Sequence, residues 1–218
     1  GKLIINGNQR VINARLEDAR FFWEKDSSDN FSDKTIGLKR VVFHNKLGSV
    51  YEKIIRLSEL ALTFKNELNM DEDNYLNLKD SINICKNDLV SEVVREFPVL
   101  QGTMGYYYAN KSDLNKAIGL AIRDHYKPYG PKDSCPSTNI SEVLAVLDKI
   151  DTIVGFFLIN EAPSSSKDPF ALRRAGLGII RILSEAKFKL NLSKIVVIIF
   201  RNNVSFRMIV AILYNHSV

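Results

Sequence analysis

Ile140-Ser141-Glu142-Val143-Leu144-Ala145-Val146-Leu147-Asp148-Lys149-Ile150-Asp151-Thr152-Ile153-Val154-Gly155-Phe156-Phe157-Leu158 repeats apolar residues at Leu144, Leu147, Ile150, Val154 and Leu158, a spacing of three and four that predicts a helix with one buried stripe. Asp148 and Asp151 lie on or beside that stripe, and a buried carboxylate needs a cation or hydrogen-bond donors to offset its desolvation. The loop Pro163-Ser164-Ser165-Ser166-Lys167-Asp168 follows, then Pro169-Phe170-Ala171-Leu172-Arg173-Arg174. Asp168 in the N-cap position and Pro169 in the first turn predict a second helix. Its stripe is Leu172, Gly176, Ile179 and Leu183, with Arg173 and Arg174 early and outside it. Two questions about function follow: whether the acids hold a metal, and whether the arginines hold a phosphate backbone.

The whole chain is 218 residues, 45% hydrophobic and 25% charged, which is globular composition and enough for one core. Thirty basic against 25 acidic side chains give a net charge of +5, which permits a polyanionic partner without demanding one. Cys85 and Cys135 form neither a CxxC pair nor a disulfide framework, a usage that fits a reduced, cytoplasmic compartment. The longest apolar run, Ile195 to Phe200, is far short of the ~20 residues that span a bilayer. The opening Gly1 to Asn6 has no signal-peptide pattern, so no membrane partner is expected. Without a starting Met the sequence reads as a piece of a longer protein.

Outward from the central pair, helical period recurs almost everywhere. Leu3 to Ile5 reads as the end of a strand, Gly7-Asn8 as a break with Asn8 as an N-cap, and Val11, Ile12, Ala19, Phe22 and Trp23 as one face of a helix. Asp26 to Ser32 reads as a polar break. Ser49 and Glu52 have capping-box spacing before Val50, Tyr51, Ile54, Ala61, Phe64 and Leu68. Asp71 caps a stripe that runs from Tyr75 through Leu78, Ile82, Cys85, Leu89 and Val93 until Phe97-Pro98 stops it. Ser112 caps a helix bearing Leu114, Ile118, Ala121, Ile122 and an inward His125, and the proline-rich Tyr126 to Thr138 is a shaped loop. Gln101 to Tyr108 combines two glycines with three tyrosines, which suits close packing under aromatic cover more than ligand stacking. The fold class expected is therefore all-α, a helical bundle with at most a short strand remnant at the N-terminus.

His44, Asp88, His125 and Asp148 fall on or near apolar stripes although their side chains favour water. Their order resembles the HD phosphohydrolase superfamily, helical domains in which two His and two Asp bind metal and activate water. In that pattern a His stands where this chain has Asn87, an amide that is a poor metal ligand. The resemblance thus implies an HD-like bundle with a degenerate centre and no metal. The bland alternative makes His44 and His125 core histidines, and Asp88 and Asp148 acceptors for helix starts or for Arg and Lys.

Longer stretches carry a closer likeness. Gly7-Asn8-Gln9-Arg10-Val11, Ala14 to Phe22, Leu38 to Tyr51, Lys86-Asn87-Asp88-Leu89-Val90, Glu96 to Gly105, Asp148 to Gly155 and Ser166 to Arg174 resemble, in order, the β subunit of bacterial heterotetrameric glycyl-tRNA synthetase. The resemblance implies an accessory β chain of a glycine-tRNA ligase, acting with an α subunit that carries the ATP-using active site, in an assembly of two α and two β chains that binds tRNA(Gly). It implies no catalytic residue and no cofactor bound by this chain. It also implies a division into 1–30, the end of a preceding domain with a connecting helix; 31–190, the HD-like domain; and 191–218, a divergent or truncated start of a following segment. Phosphate contacts supply affinity and lie outside buried stripes, which selects Lys167, Arg173 and Arg174, then Arg15, Lys39 and Arg40, as tRNA-binding residues. Each has a bland reading as a solvated or ion-paired surface cation, and Arg173 is also placed to anchor Asp148 or Asp168. A metal-dependent HD-type phosphohydrolase and a purely structural helical interaction module are the competing readings.

Overall fold

Among the described residues of the computed structural model, 2–186 and 188–191, eight α-helices follow one another: α1 (Lys2–Asp26), α2 (Val50–Leu68), α3 (Glu72–Ile84), α4 (Glu92–Glu96), α5 (Thr103–Lys111), α6 (Lys116–Asp124), α7 (Asn139–Leu158) and α8 (Leu172–Glu185). Short 3-10 turns at Phe31–Arg40, Asn87–Val90 and Pro98–Leu100 join them, and one antiparallel ribbon pairs β1 (Val42–His44) with β2 (Gly48–Ser49). These residues thus form an all-α bundle with one two-strand ribbon. The expectation for 191–218 lies, apart from Asn191, outside the described residues. No helix among the described residues is long and apolar enough to cross a membrane.

The centre of the bundle is α7, packed against α2, α3, α6 and α8. Thr138 accepts the Ser141 amide and starts it. Leu144 and Leu147 are fully buried with Leu57, Phe64, Leu78, Ile82 and Ile122, each such side chain contributing roughly 1.5–3 kcal/mol. The capping box of Ser49 and Glu52 is formed at α2, and Asp71 caps α3 through the Asn74 amide.

Four expectations change. Lys2 to Asp26 is one helix, so neither the strand at Leu3 to Ile5 nor the cap at Asn8 exists. Ile4, Ile5, Val11, Ile12 and Leu16 sit at helical spacing, and they remain exposed. The single long stripe from Tyr75 to Val93 is broken, because its polar residues make bonds that compete with the helix. The Asn87 amide donates to Phe31 O and Thr35 Oγ1, the Asp88 carboxylate takes two amides from around the start of α5, and Ser91 caps α4 through the Val94 amide. Asn115 rather than Ser112 caps α6. Finally, α8 begins at Leu172, with Ala171 in the left-handed region (φ 55°) and Asp168 accepting the Leu172 and Arg173 amides from outside the helix.

Candidate functional site

Lys53 and Arg56 lie three apart on α2, and Asp148 and Asp151 three apart on α7, so each pair shares a face and the two faces meet. Asp151 is fully buried: Oδ1 accepts Arg56 Nε at 2.7 Å, and Oδ2 accepts Lys53 Nζ at 2.9 Å and Arg56 Nη2 at 3.2 Å. Arg56 also donates to Leu47 O, and Lys53 to Asp148 O and Thr152 Oγ1. The Lys86 ammonium enters from the turn after α3. It lies 3.1 Å from Asp148 Oδ1, 2.8 Å from His125 Nε2 and 3.9 Å from the centre of the Tyr126 ring. Lys53 Nζ stands 3.4 Å from the same Asp148 oxygen; that oxygen meets both ammoniums by charge, without an aligned hydrogen bond.

Protonation follows from these neighbours. His125 Nδ1 lies 2.7 Å from Ile122 O, which assigns the ring proton to Nδ1 and leaves Nε2 to accept from Lys86. Burial, then the Lys86 charge, push the His125 pKa well down, so the ring is neutral. Burial alone raises Asp148, but the charges of Lys53, Lys86 and Lys149 outweigh it and hold its carboxyl well below the usual range. Lys149, its pKa pushed down by burial to about 8, donates to the carbonyls of His125, Tyr126 and Lys127 and so fixes the start of the α6–α7 loop.

The positions expected from the HD pattern are largely dispersed. His44 is half-buried on β1, edge-on to Phe156 and Phe170 at 5.2 and 5.4 Å, and its Nδ1 accepts the Lys46 amide. Asn87 faces the 3-10 turn at Phe31–Arg40. Asp88 Oδ2 accepts the amides of Gly102 (2.5 Å) and Gly105 (3.2 Å), and burial, partly countered by those amides, raises its pKa to about 6. Only His125 and Asp148 come together, and the group they share is the Lys86 ammonium. A lysine ammonium offers donors and no lone pair, so these residues do not fit a divalent metal. Among the described residues no group of three or more His, Cys, Asp or Glu side chains is placed to hold one. Lys53, Arg56, Lys86 and Lys149 escape a reading by stripes alone, although the matched i,i+3 spacing of two cations and two acids was a usable signal.

The surface cations lie on separate segments. Lys167 is exposed, its side chain without a partner among the described residues, while its amide bonds Ser164. Arg173 anchors neither Asp148 nor Asp168 through its side chain: the guanidinium donates to Ser164 O, and only its amide meets Asp168. Arg174 is exposed and has no partner among the described residues. Arg15 pairs with Glu96 at 3.5 Å, Lys39 lies over the Tyr51 ring, and Arg40 is exposed.

Residues 1–211 match the family model described as glycyl-tRNA synthetase beta subunit. The glycine–tRNA ligase beta subunit of Rickettsia bellii (strain OSU 85-389) is 47% identical over 195 residues, covering 89% of this chain and 28% of that protein. The namesakes from Phenylobacterium zucineum (strain HLK1) and Paracoccus denitrificans (strain Pd 1222) are 44% and 46% identical, over 90% and 89% of this chain and 29% and 28% of their own lengths. The chain therefore spans under a third of the curated relatives it matches.

Proposed function

The chain belongs to the glycyl-tRNA synthetase β subunit family, and from that premise we propose that it is a section of the β chain of a glycine-tRNA ligase, supporting ATP-dependent glycyl-tRNA formation by binding tRNA and organising the subunits. The α chain of the assembly carries the aminoacylation site and uses the ATP, in the cytoplasm, and this section contributes no catalytic residue. Its body is an HD-like bundle whose water-activating centre has become an internal charge cluster. The observation that carries this reading against phosphoester hydrolysis is the Lys86 ammonium between His125 and Asp148, in the place where a hydrolase needs a Lewis acid. A subunit-joining role alone draws support from α1, whose Ile4, Ile5, Val11, Ile12 and Leu16 are exposed.

RNA affinity comes largely from phosphates, so the unpartnered Lys167 and Arg174 are the contacts expected to matter most. In the full-length chain co-purified with its α subunit, alanine at either position should weaken tRNA(Gly) binding and reduce the slope of log affinity against log salt by about one per lost contact. Glycine charging should fall in parallel. Unaltered slopes in both variants would remove these residues from the interface, and failure of the assembly to charge glycine would end the ligase reading. Mn²⁺-dependent phosphodiester turnover abolished by Asp148→Ala would favour the hydrolase instead.

A further inference from the structure

We propose that the cleft between the α6–α7 loop and α8 is a site for one unpaired nucleotide, its base lodged against the loop prolines and its phosphate on Arg174. The inference rests on the RNA-binding reading above and gives it a finer substrate class. The cleft has a volume of about 370 Å³, within the range of small-ligand sites. Its apolar lining comes from Pro128 and Pro131 of the loop and from Leu177 and Ile180 of α8. Leu177 and Ile180 are 67% and 59% exposed and stand one turn apart on the same face of α8, so they form a small contiguous apolar patch facing the loop prolines.

The cleft is built rather than incidental. Arg181 donates to the carbonyls of Pro131 and Asp133 and pairs with Glu185, so it ties the loop to α8 and is not available to a ligand. Lys149 holds the other end of the loop by three carbonyls, beneath Gly178, where a Cβ would come within 3.0 Å of Lys149 Cε. Both walls are therefore fixed before any ligand arrives, which lowers the entropic cost of binding. What remains unsatisfied is Arg174, an exposed guanidinium at the cleft with no partner among the described residues. An apolar slot beside an unpaired cation complements a flat apolar group joined to an anion, and a nucleotide is both. Duplex RNA offers the phosphate but keeps its bases stacked, whereas an unpaired base can be splayed into such a slot. A docked protein helix reads as a row of anchors at i, i+3, i+4 and i+7; here there is one concavity.

The test uses the full-length chain with its α subunit and three probes: tRNA(Gly), a labelled oligouridylate and a blunt RNA duplex. The double variant Leu177→Ala/Ile180→Ala should lose about tenfold in affinity for the oligouridylate, with salt slope, duplex binding and unfolding midpoint unchanged. Arg174→Ala should weaken both single-stranded and tRNA binding and lower the slope by about one. If the double variant holds the oligouridylate as tightly as its parent while Arg174→Ala weakens tRNA binding, the nucleotide site is wrong and the broader RNA reading stands. If the assembly binds none of the three RNAs, both fall. Loss of the α subunit from the double variant, with RNA binding intact, would make the cleft a protein-docking surface and overturn the proposal.

Discussion

Asp148 stays ionised in the core because Lys86 and Lys53 stand within 3.4 Å of it, and Lys86 does double service by filling the lone pair of a neutral His125. Replacing Lys86 with Met keeps the stem and removes the charge, leaving Asp148 with Lys53 and an empty acceptor on the imidazole. The expected loss is about 2–4 kcal/mol, read from urea midpoints; a variant as stable as its parent would show that Asp148 does not depend on this ammonium. Asp88 behaves in the opposite sense with pH. Burial raises its folded pKa from 3.8 to about 6, so the folded state binds that proton more tightly than the unfolded chain. Its contribution is whole below about pH 4 and is lost as pH rises through about 6, on the order of 3 kcal/mol in all. Stability measured for the parent against Asp88→Asn, which does not titrate, should therefore decline between about pH 4 and about pH 7; a flat difference would place Asp88 at its ordinary pKa. The inward position of Asp148 and His125 was legible, because stripes report which face a residue occupies. Their common partner was not, since Lys86 lies outside any stripe and the contact joins residues 39 and more positions apart.

Helix starts governed by their own side chains were readable at Ser49 and Asp71, whereas the Thr138 cap of α7 emerges only from the structure. Starts governed by tertiary packing were not. Phe170 stacks on Phe156 at 4.0 Å and meets His44, joining the small second core of Leu47, Phe156, Ile159 and Leu172. That contact draws Pro169 and Phe170 into a turn and delays α8 to Leu172, so Asp168 caps it across the turn instead of from the adjoining position. Asp168→Ala leaves the Leu172 and Arg173 amides unpaired and should cost about 1 kcal/mol. Amide exchange should quicken at Leu172 and Arg173 while the centre of α7 is unchanged, and since the first turn of α8 positions Arg174, tRNA affinity should drop with it. Exchange at Leu172 as slow as in the parent would mean that packing of Phe170, rather than the cap, holds this turn.

At the scale of the molecule, helices distant in sequence are joined by a few carboxylates. Asp151 ties α2 to α7, and Asp26, which reads in the sequence as the first residue of a polar break, accepts the Glu92 and Val93 amides and the Tyr108 hydroxyl. It thereby fastens the end of α1 to α4 and α5, helped by Trp23 stacked on Tyr108 with ring centres 5.1 Å apart. Stripes and caps could announce an all-α bundle, but which ends meet depends on such long-range bonds, and no local pattern encodes them. The two halves of α1 should consequently respond differently. Asp26→Ala strands two amides and a hydroxyl inside the body and should cost about 2–3 kcal/mol. Ile12→Ser or Leu16→Ser, on the exposed stretch, should stay within about 0.5 kcal/mol in this chain alone. The same serine substitutions costing as much as Asp26→Ala would show that the N-terminal half of α1 is already covered, and that its apolar face stabilises the body instead of standing open to a partner.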